Sequence, residues 1–164
     1  MREFFALIAM AFPVGAEGIS SSVETTRLCL EGTEGLERFE CIGASAGVCM
    51  ETTEGTTTVG MGFCIGLELG FWEEKLNMAY ADLRSVERSV VDTVPAGGPS
   101  VPDSAKALRD MQRAWMGYRD AACFYEYSTW GGGTGGGPAN AACLLDLTAR
   151  QSCMLEDRLQ ERVQ

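Results

Sequence analysis

The chain has 164 residues, 46% of them hydrophobic, with 23 acidic and 13 basic side chains, no histidine and a net charge of −10. That length and apolar share suit one compact domain with a real core and leave too little chain for two comfortable ones. The acidity argues against nucleic acid and anionic lipid as partners, and the missing histidines remove a histidine-based triad or metal centre.

Residues 1–16 read as a secretory signal peptide. Arg2 gives a positive start, Phe4 to Phe12 form an unbroken apolar run, Pro13 breaks it, and Val14-Gly15-Ala16 supply small residues for cleavage near Ala16. The run is nine residues long, whereas a bilayer-spanning helix needs about 20. No cysteine sits just after the cut, which argues against a lipid anchor; the next is Cys29. The mature chain is therefore expected in the periplasm or outside the cell, with no membrane insertion.

An N-terminal helical extension follows over residues 17–48. Ser21-Ser22-Val23-Glu24 has capping-box spacing and predicts a helix to about Leu30. A second helix is expected over Leu36 to Met50, then a polar loop from Thr52 to Gly60. From Met61 the sequence carries Cys64, Glu68, Trp72, Leu76, Ala79, Leu83, Val86 and Val90 at helical spacing, with Glu68 the one charged member. That stripe predicts an amphipathic helix of about 30 residues. Pro95 to Pro102 ends it, and Asp103 or Ser100 caps the next helix, whose apolar face reads Leu108, Met111, Trp115, Tyr118, Ala122 and Tyr125. The glycine tract 131–137 stops that helix, and Pro138 suits the first turn of a last one carrying Leu144, Leu147, Gln151, Leu155 and Leu159. No segment alternates with period two. The expected fold is all-α: a small disulfide-stapled bundle with two long antiparallel helices and a C-terminal crossing helix.

Seven cysteines in an exported chain read as a disulfide framework with one thiol left over. Local geometry suggests Cys29 with Cys41 across a turn-rich segment, Cys49 with Cys64 around the polar loop, and Cys123 with Cys143 around the glycine tract. Cys153 is then the odd thiol. No C-x-x-C pair is present, so neither a metal site nor any cofactor is expected. The glycine tract lacks the Lys-Ser/Thr of a phosphate-binding loop and reads as a tight helix crossing.

An ordered set of residues carries a family signal. It comprises Leu76-Asn77 and Tyr80 after Trp72, then Gln112-Arg113-Ala114-Trp115, Tyr118-Arg119-Asp120 and Cys123, then Gly132-Gly133-Thr134, Cys143-Leu144 and Leu147-Thr148-Ala149-Arg150. The set resembles the lysozyme inhibitor LprI-like N-terminal domain family over roughly residues 49–156, which makes 49–164 the LprI-like helical domain. The resemblance implies a helical, exported, disulfide-bonded protein and, for some members, inhibition of lysozyme. This chain departs from it by lacking the lipoprotein cysteine of some members, by the segment holding Cys29 and Cys41, and by Cys153.

Candidate functional residues divide by type. Catalysis without histidine would need paired carboxylates, for which Glu68, Glu73, Glu74 and Asp120 are available, but no spacing separates them from ordinary helix residues. Hence no enzymatic activity is expected. Asn77, Arg113, Arg119 and Asp120 fall on or beside helix contact faces and are read as a polar network that fixes packing. Trp72 and Trp115 read as core anchors, and Trp130 as an aromatic contact beside the glycine loop. Residues 17–75 hold 11 acids against three bases, residues 76–164 hold 11 against nine, and Glu31, Glu34, Glu37 and Glu40 recur every three residues. Such a negative surface attracts basic proteins, and many lysozymes are basic. The leading expectation is a protein-binding domain that blocks a lysozyme or another muramidase, with Glu31, Glu34, Glu37, Glu40 and Trp130 at the contact. A structural or stress-related envelope component is the alternative, and a carboxylate-based glycan hydrolase the third; oligomeric state is left open.

Overall fold

The computed structural model describes residues 22–93 and 101–164; the proposed signal peptide and residues 95–100 of the connector lie outside the described residues. In chain order the helices are α1 (Glu24–Glu31), a 3-10 helix (Gly35–Cys41), α2 (Ala44–Met50), α3 (Thr58–Asp92), α4 (Ser104–Ser128) and α5 (Gly136–Val163). No strand occurs among the described residues. The protein is an all-α bundle stapled by disulfides.

The three long helices run up, down and up. Arg119 of α4 sits by Glu73 of α3, and Leu108 packs with Leu83 in one apolar cluster, so α3 and α4 are antiparallel. Ile65 meets Leu145 near one end of α3, and Glu87 pairs with Arg162 at 2.7 Å near the other. Thus α5 follows α3 in the same direction along its length, a longer alignment than a crossing element would make. Its buried residues include Leu145, Thr148, Ala149, Gln151, Ser152, Cys153 and Leu155.

The buried stripe of α3 is Ile65, Glu68, Trp72, Leu76, Ala79, Leu83 and Glu87, a run of three- and four-residue steps that matches the helical repeat. At its end the stripe leaves the expected positions: Val90 is 45% exposed and Glu87 only 6%. The ion pair with Arg162 explains the exchange, because it meets the charge of Glu87 at one carboxylate oxygen. In α4 the face toward the bundle is Leu108, Gln112, Trp115, Arg119 and Cys123, while Tyr118 and Tyr125 are 62% and 70% exposed. Two aromatics expected inside are outside. Gln112 accepts from Gln151 Nε2 at 2.9 Å, and Arg119 lays its guanidinium over Trp115 with 5.2 Å to the ring centre. Polar groups with partners therefore occupy the seam.

The N-terminal helices differ more from expectation. Val23, not a serine, is the N-cap of α1 and makes no side-chain cap bond; Ser22 Oγ instead accepts from the Glu24 amide at 3.1 Å. The single helix expected over Leu36 to Met50 is broken between Cys41 and Ala44, where Ile42 is extended and Gly43 has φ 88°. A side chain at Gly43 would be strained in that conformation, so glycine makes the break possible. Of the two caps considered for α4, Asp103 serves, accepting from the Lys106 amide at 2.8 Å; Ser100 lies outside the described residues. Disulfides join Cys29 to Cys41, Cys49 to Cys64 and Cys123 to Cys143, and Cys153 is a free, buried thiol.

Candidate functional site

The break at Gly43 organises the N-terminal face. Its geometry turns the amides of Gly43 and Ala46 toward Glu68, which is 0% exposed. Glu68 accepts from Gly43 N at 2.7 Å, Ala46 N at 2.8 Å and Trp72 Nε1 at 3.1 Å. A buried carboxylate is costly unless it is bonded this fully, so Glu68 is a clamp between α3 and the start of α2. Both its oxygens are engaged from within the fold, which removes it from the carboxylates available for catalysis.

Three further contacts fix the extension. Thr26 and Ser45 exchange buried hydrogen bonds of 2.9–3.1 Å between α1 and α2. Arg38 of the 3-10 helix pairs with Glu156, at 2.9 Å, and with Asp157 of α5. Arg150 of α5 lies over the Phe39 ring at 4.8 Å. Two disulfides then hold the same region. What this scaffold presents is acidic: Glu31, Glu34, Glu37 and Glu40 are all exposed, and none has an ion-pair partner among the described residues. Leu36 stands among them with 78% of its surface in solvent. Beside this rim lies a groove of about 670 Å³ whose lining includes Leu36, Phe39, Glu40, Met50, Asp146 and Arg150. Arg150 donates to both oxygens of Asp146 at 2.8 and 2.9 Å, and that bond holds its guanidinium above its ordinary value.

The residues read as a polar network separate into two groups. Arg119 donates to Asp120 at 2.8 and 2.9 Å and to Thr148 of α5 at 3.4 Å, with Glu73 of α3 at 3.8 Å. It therefore touches all three long helices. Asn77 and Arg113 are exposed and have no side-chain hydrogen bond or ion pair among the described residues. Both line a cleft between α3 and α4 instead. Trp130 is 48% exposed at the glycine loop, its ring lying against Gly135 so closely that a side chain there would collide with it. Trp72 is fully buried and Trp115 half-buried. Cys153 is enclosed, and burial pushes its thiol up.

Several of these groups were not legible in advance. Glu68 drew notice as a charge within an apolar stripe, but Thr26, Ser45 and Arg38 carry no signal beyond ordinary helix composition.

Together these features define a small, disulfide-stapled all-helical domain whose charge is sorted onto distinct surfaces. The described residues include no helix long and apolar enough to cross a membrane, and the three disulfides fit a secreted or periplasmic protein. The chain belongs to the lysozyme inhibitor LprI family, whose model matches residues 49–155. It is also similar to a Rhodobacter capsulatus protein described as an uncharacterized 17.7 kDa protein in the puhA 5' region. The two are 25% identical over 154 residues, covering 92% of this chain and 91% of that protein. That share is too large to omit the whole N-terminal extension, which the family model does not reach. No solved structure matches the chain.

Proposed function

We propose that this is an exported protein that binds and inhibits a lysozyme or a related muramidase through the acidic rim formed by α1 and the 3-10 helix. Membership of an inhibitor family supports a protein partner and a non-enzymatic role. The observation that carries the choice of surface is the row of Glu31, Glu34, Glu37 and Glu40, exposed, without ion-pair partners among the described residues and set around exposed Leu36. Charges left open on a rigid scaffold steer a basic partner, and a central apolar side chain gives the contact something to bury. Inhibition is steric in this reading, with no covalent step. Trp130, half exposed at the glycine loop, is assigned no more than a peripheral contact. The signal peptide at residues 1–16, cleaved near Ala16, would deliver the chain to the compartment where its disulfides form.

The test is a cell-wall lysis assay with a basic lysozyme and the protein lacking residues 1–16. Inhibition that weakens as salt screens the rim supports the reading. Full lysozyme activity at large molar excess of the protein removes it.

A further inference from the structure

Six basic residues of the LprI-family region, Arg84, Arg88, Lys106, Arg109, Arg113 and Arg119, gather where α3 and α4 run antiparallel. They line two adjoining hollows that share Arg84 and Arg109, of about 490 and 390 Å³. The larger hollow has four arginines against one acid, Glu73, in a protein whose net charge is −10.

Lys106 and Arg119 of this cluster are paired with Asp110 and Asp120, but the cluster also holds most of the bases without a pair. Arg38, Lys75, Arg150, Arg158 and Arg162 all stand in ion pairs elsewhere on the bundle. Four bases have no ion pair among the described residues, and three of them, Arg84, Arg88 and Arg113, line these hollows; the fourth, Arg27, lies over the Phe71 ring. Arg109 adds an unmet donor: its Nε is buried without a hydrogen-bond partner, and its ion-pair partner Asp110 stands off at 3.6 Å. A buried donor of a charged group left unbonded is costly. The larger hollow also has Leu76, Tyr80, Trp115 and Met116 in its wall, beside the polar side chains of Asn77, Gln112 and Thr148. Its volume falls in the range of about 300–1,000 Å³ typical of small-molecule sites.

We propose that the cleft between α3 and α4 is a binding site for a small anion, a phosphate or carboxylate group carried on an apolar or aromatic body. The guanidinium groups of Arg84, Arg109 and Arg113 receive the oxyanion, since their planar forks match its geometry. Tyr80 and Met116 contact the body. Arg119 holds the cleft wall through Thr148 and Trp115. The site is independent of the acidic rim: Thr148 faces the cleft, whereas Asp146 and Arg150, each two residues away on α5, line the groove beside the rim, and two residues is more than half a helical turn.

The test is calorimetric titration of the whole folded protein with phenyl phosphate, benzoate, inorganic phosphate and phenol. Binding of phenyl phosphate or benzoate, tighter than inorganic phosphate and absent for phenol, supports the proposal; the arm that binds more tightly names the oxyanion. Arg84→Gln and Arg113→Gln should each weaken that binding about tenfold, while Arg158→Gln, outside the cleft, leaves it unchanged. Added salt should weaken it in the parent protein, a measurement that needs no variant. Failure of both aromatic anions to bind, or equal binding by the Arg84→Gln and Arg113→Gln variants with circular dichroism showing them folded, overturns the proposal.

Discussion

Replacing Glu68 by glutamine keeps the shape of the side chain and changes only what its two terminal atoms can do. In the parent, one oxygen takes the N–H groups of Gly43 and Trp72 and the other takes that of Ala46. A glutamine offers one acceptor and one donor group. Even in its better orientation it leaves the buried Ala46 amide facing an NH2. One orphaned buried donor costs about 1–3 kcal/mol, which for a domain of this size lowers the melting temperature by roughly 5 °C. Glu68→Ala orphans all three donors and opens a cavity, for about 3–9 kcal/mol, against a whole-domain stability of about 5–15 kcal/mol. The assay is urea unfolding followed by far-UV circular dichroism, with Trp72 fluorescence reporting the loss of its own bond. A Glu68→Gln protein within about 0.3 kcal/mol of the parent, or an alanine variant that unfolds at the parent midpoint, would refute the clamp.

The other consequences concern the staples, the thiol and Arg119. Serine at both Cys123 and Cys143 opens a loop with a sequence separation of 20 and should lower stability by about 3 kcal/mol in the loop-entropy model, measured by the same unfolding curves. Cys153 should resist a maleimide in the native protein and react once per chain in denaturant without reductant; rapid native labelling would contradict its burial. Burial raises the Cys153 thiol, so the unfolded chain ionises first and the contribution of this group is lost as pH rises above the ordinary thiol range. Cys153→Ala should flatten that alkaline decline relative to the parent. Arg119→Met should cost about 1–2 kcal/mol through the lost contacts to Thr148 and the Trp115 ring, and a double-mutant cycle with Thr148→Val would isolate the bond between them.

How far the sequence reached depended on whether the deciding contact was local. The stripe from Cys64 to Leu83 is legible because an α-helix returns every three or four residues to one side, and the loop-closing cysteine pairs lie close along the chain. The end of the stripe is not legible, since burial of Glu87 depends on Arg162, far away on α5. Gly43 falls inside the helix expected over Leu36 to Met50; its left-handed turn is intelligible only with Glu68 waiting for the amides it releases. Tyr118 and Tyr125 were assigned inward by counting apolar residues, but Gln112 and Arg119, with partners on other helices, take that seam. Summing charge over residues 76–164 gives nearly balanced acids and bases, which hides the basic cleft. Only the antiparallel pairing of α3 and α4 brings Arg84 and Arg88 beside Lys106 and Arg109.

That sorting of charge supports two separate roles: an acidic rim that meets a basic protein and a basic cleft that takes a small anion. The rim is tested most directly by neutralising it without touching the clamp. Lysozyme inhibition should be measured across a salt series for the parent and for a variant carrying Glu31→Gln, Glu34→Gln, Glu37→Gln and Glu40→Gln together. Inhibition by the parent should fade with salt, and the folded variant should inhibit far more weakly at low salt. Equal inhibition by the two proteins would contradict that role for the rim.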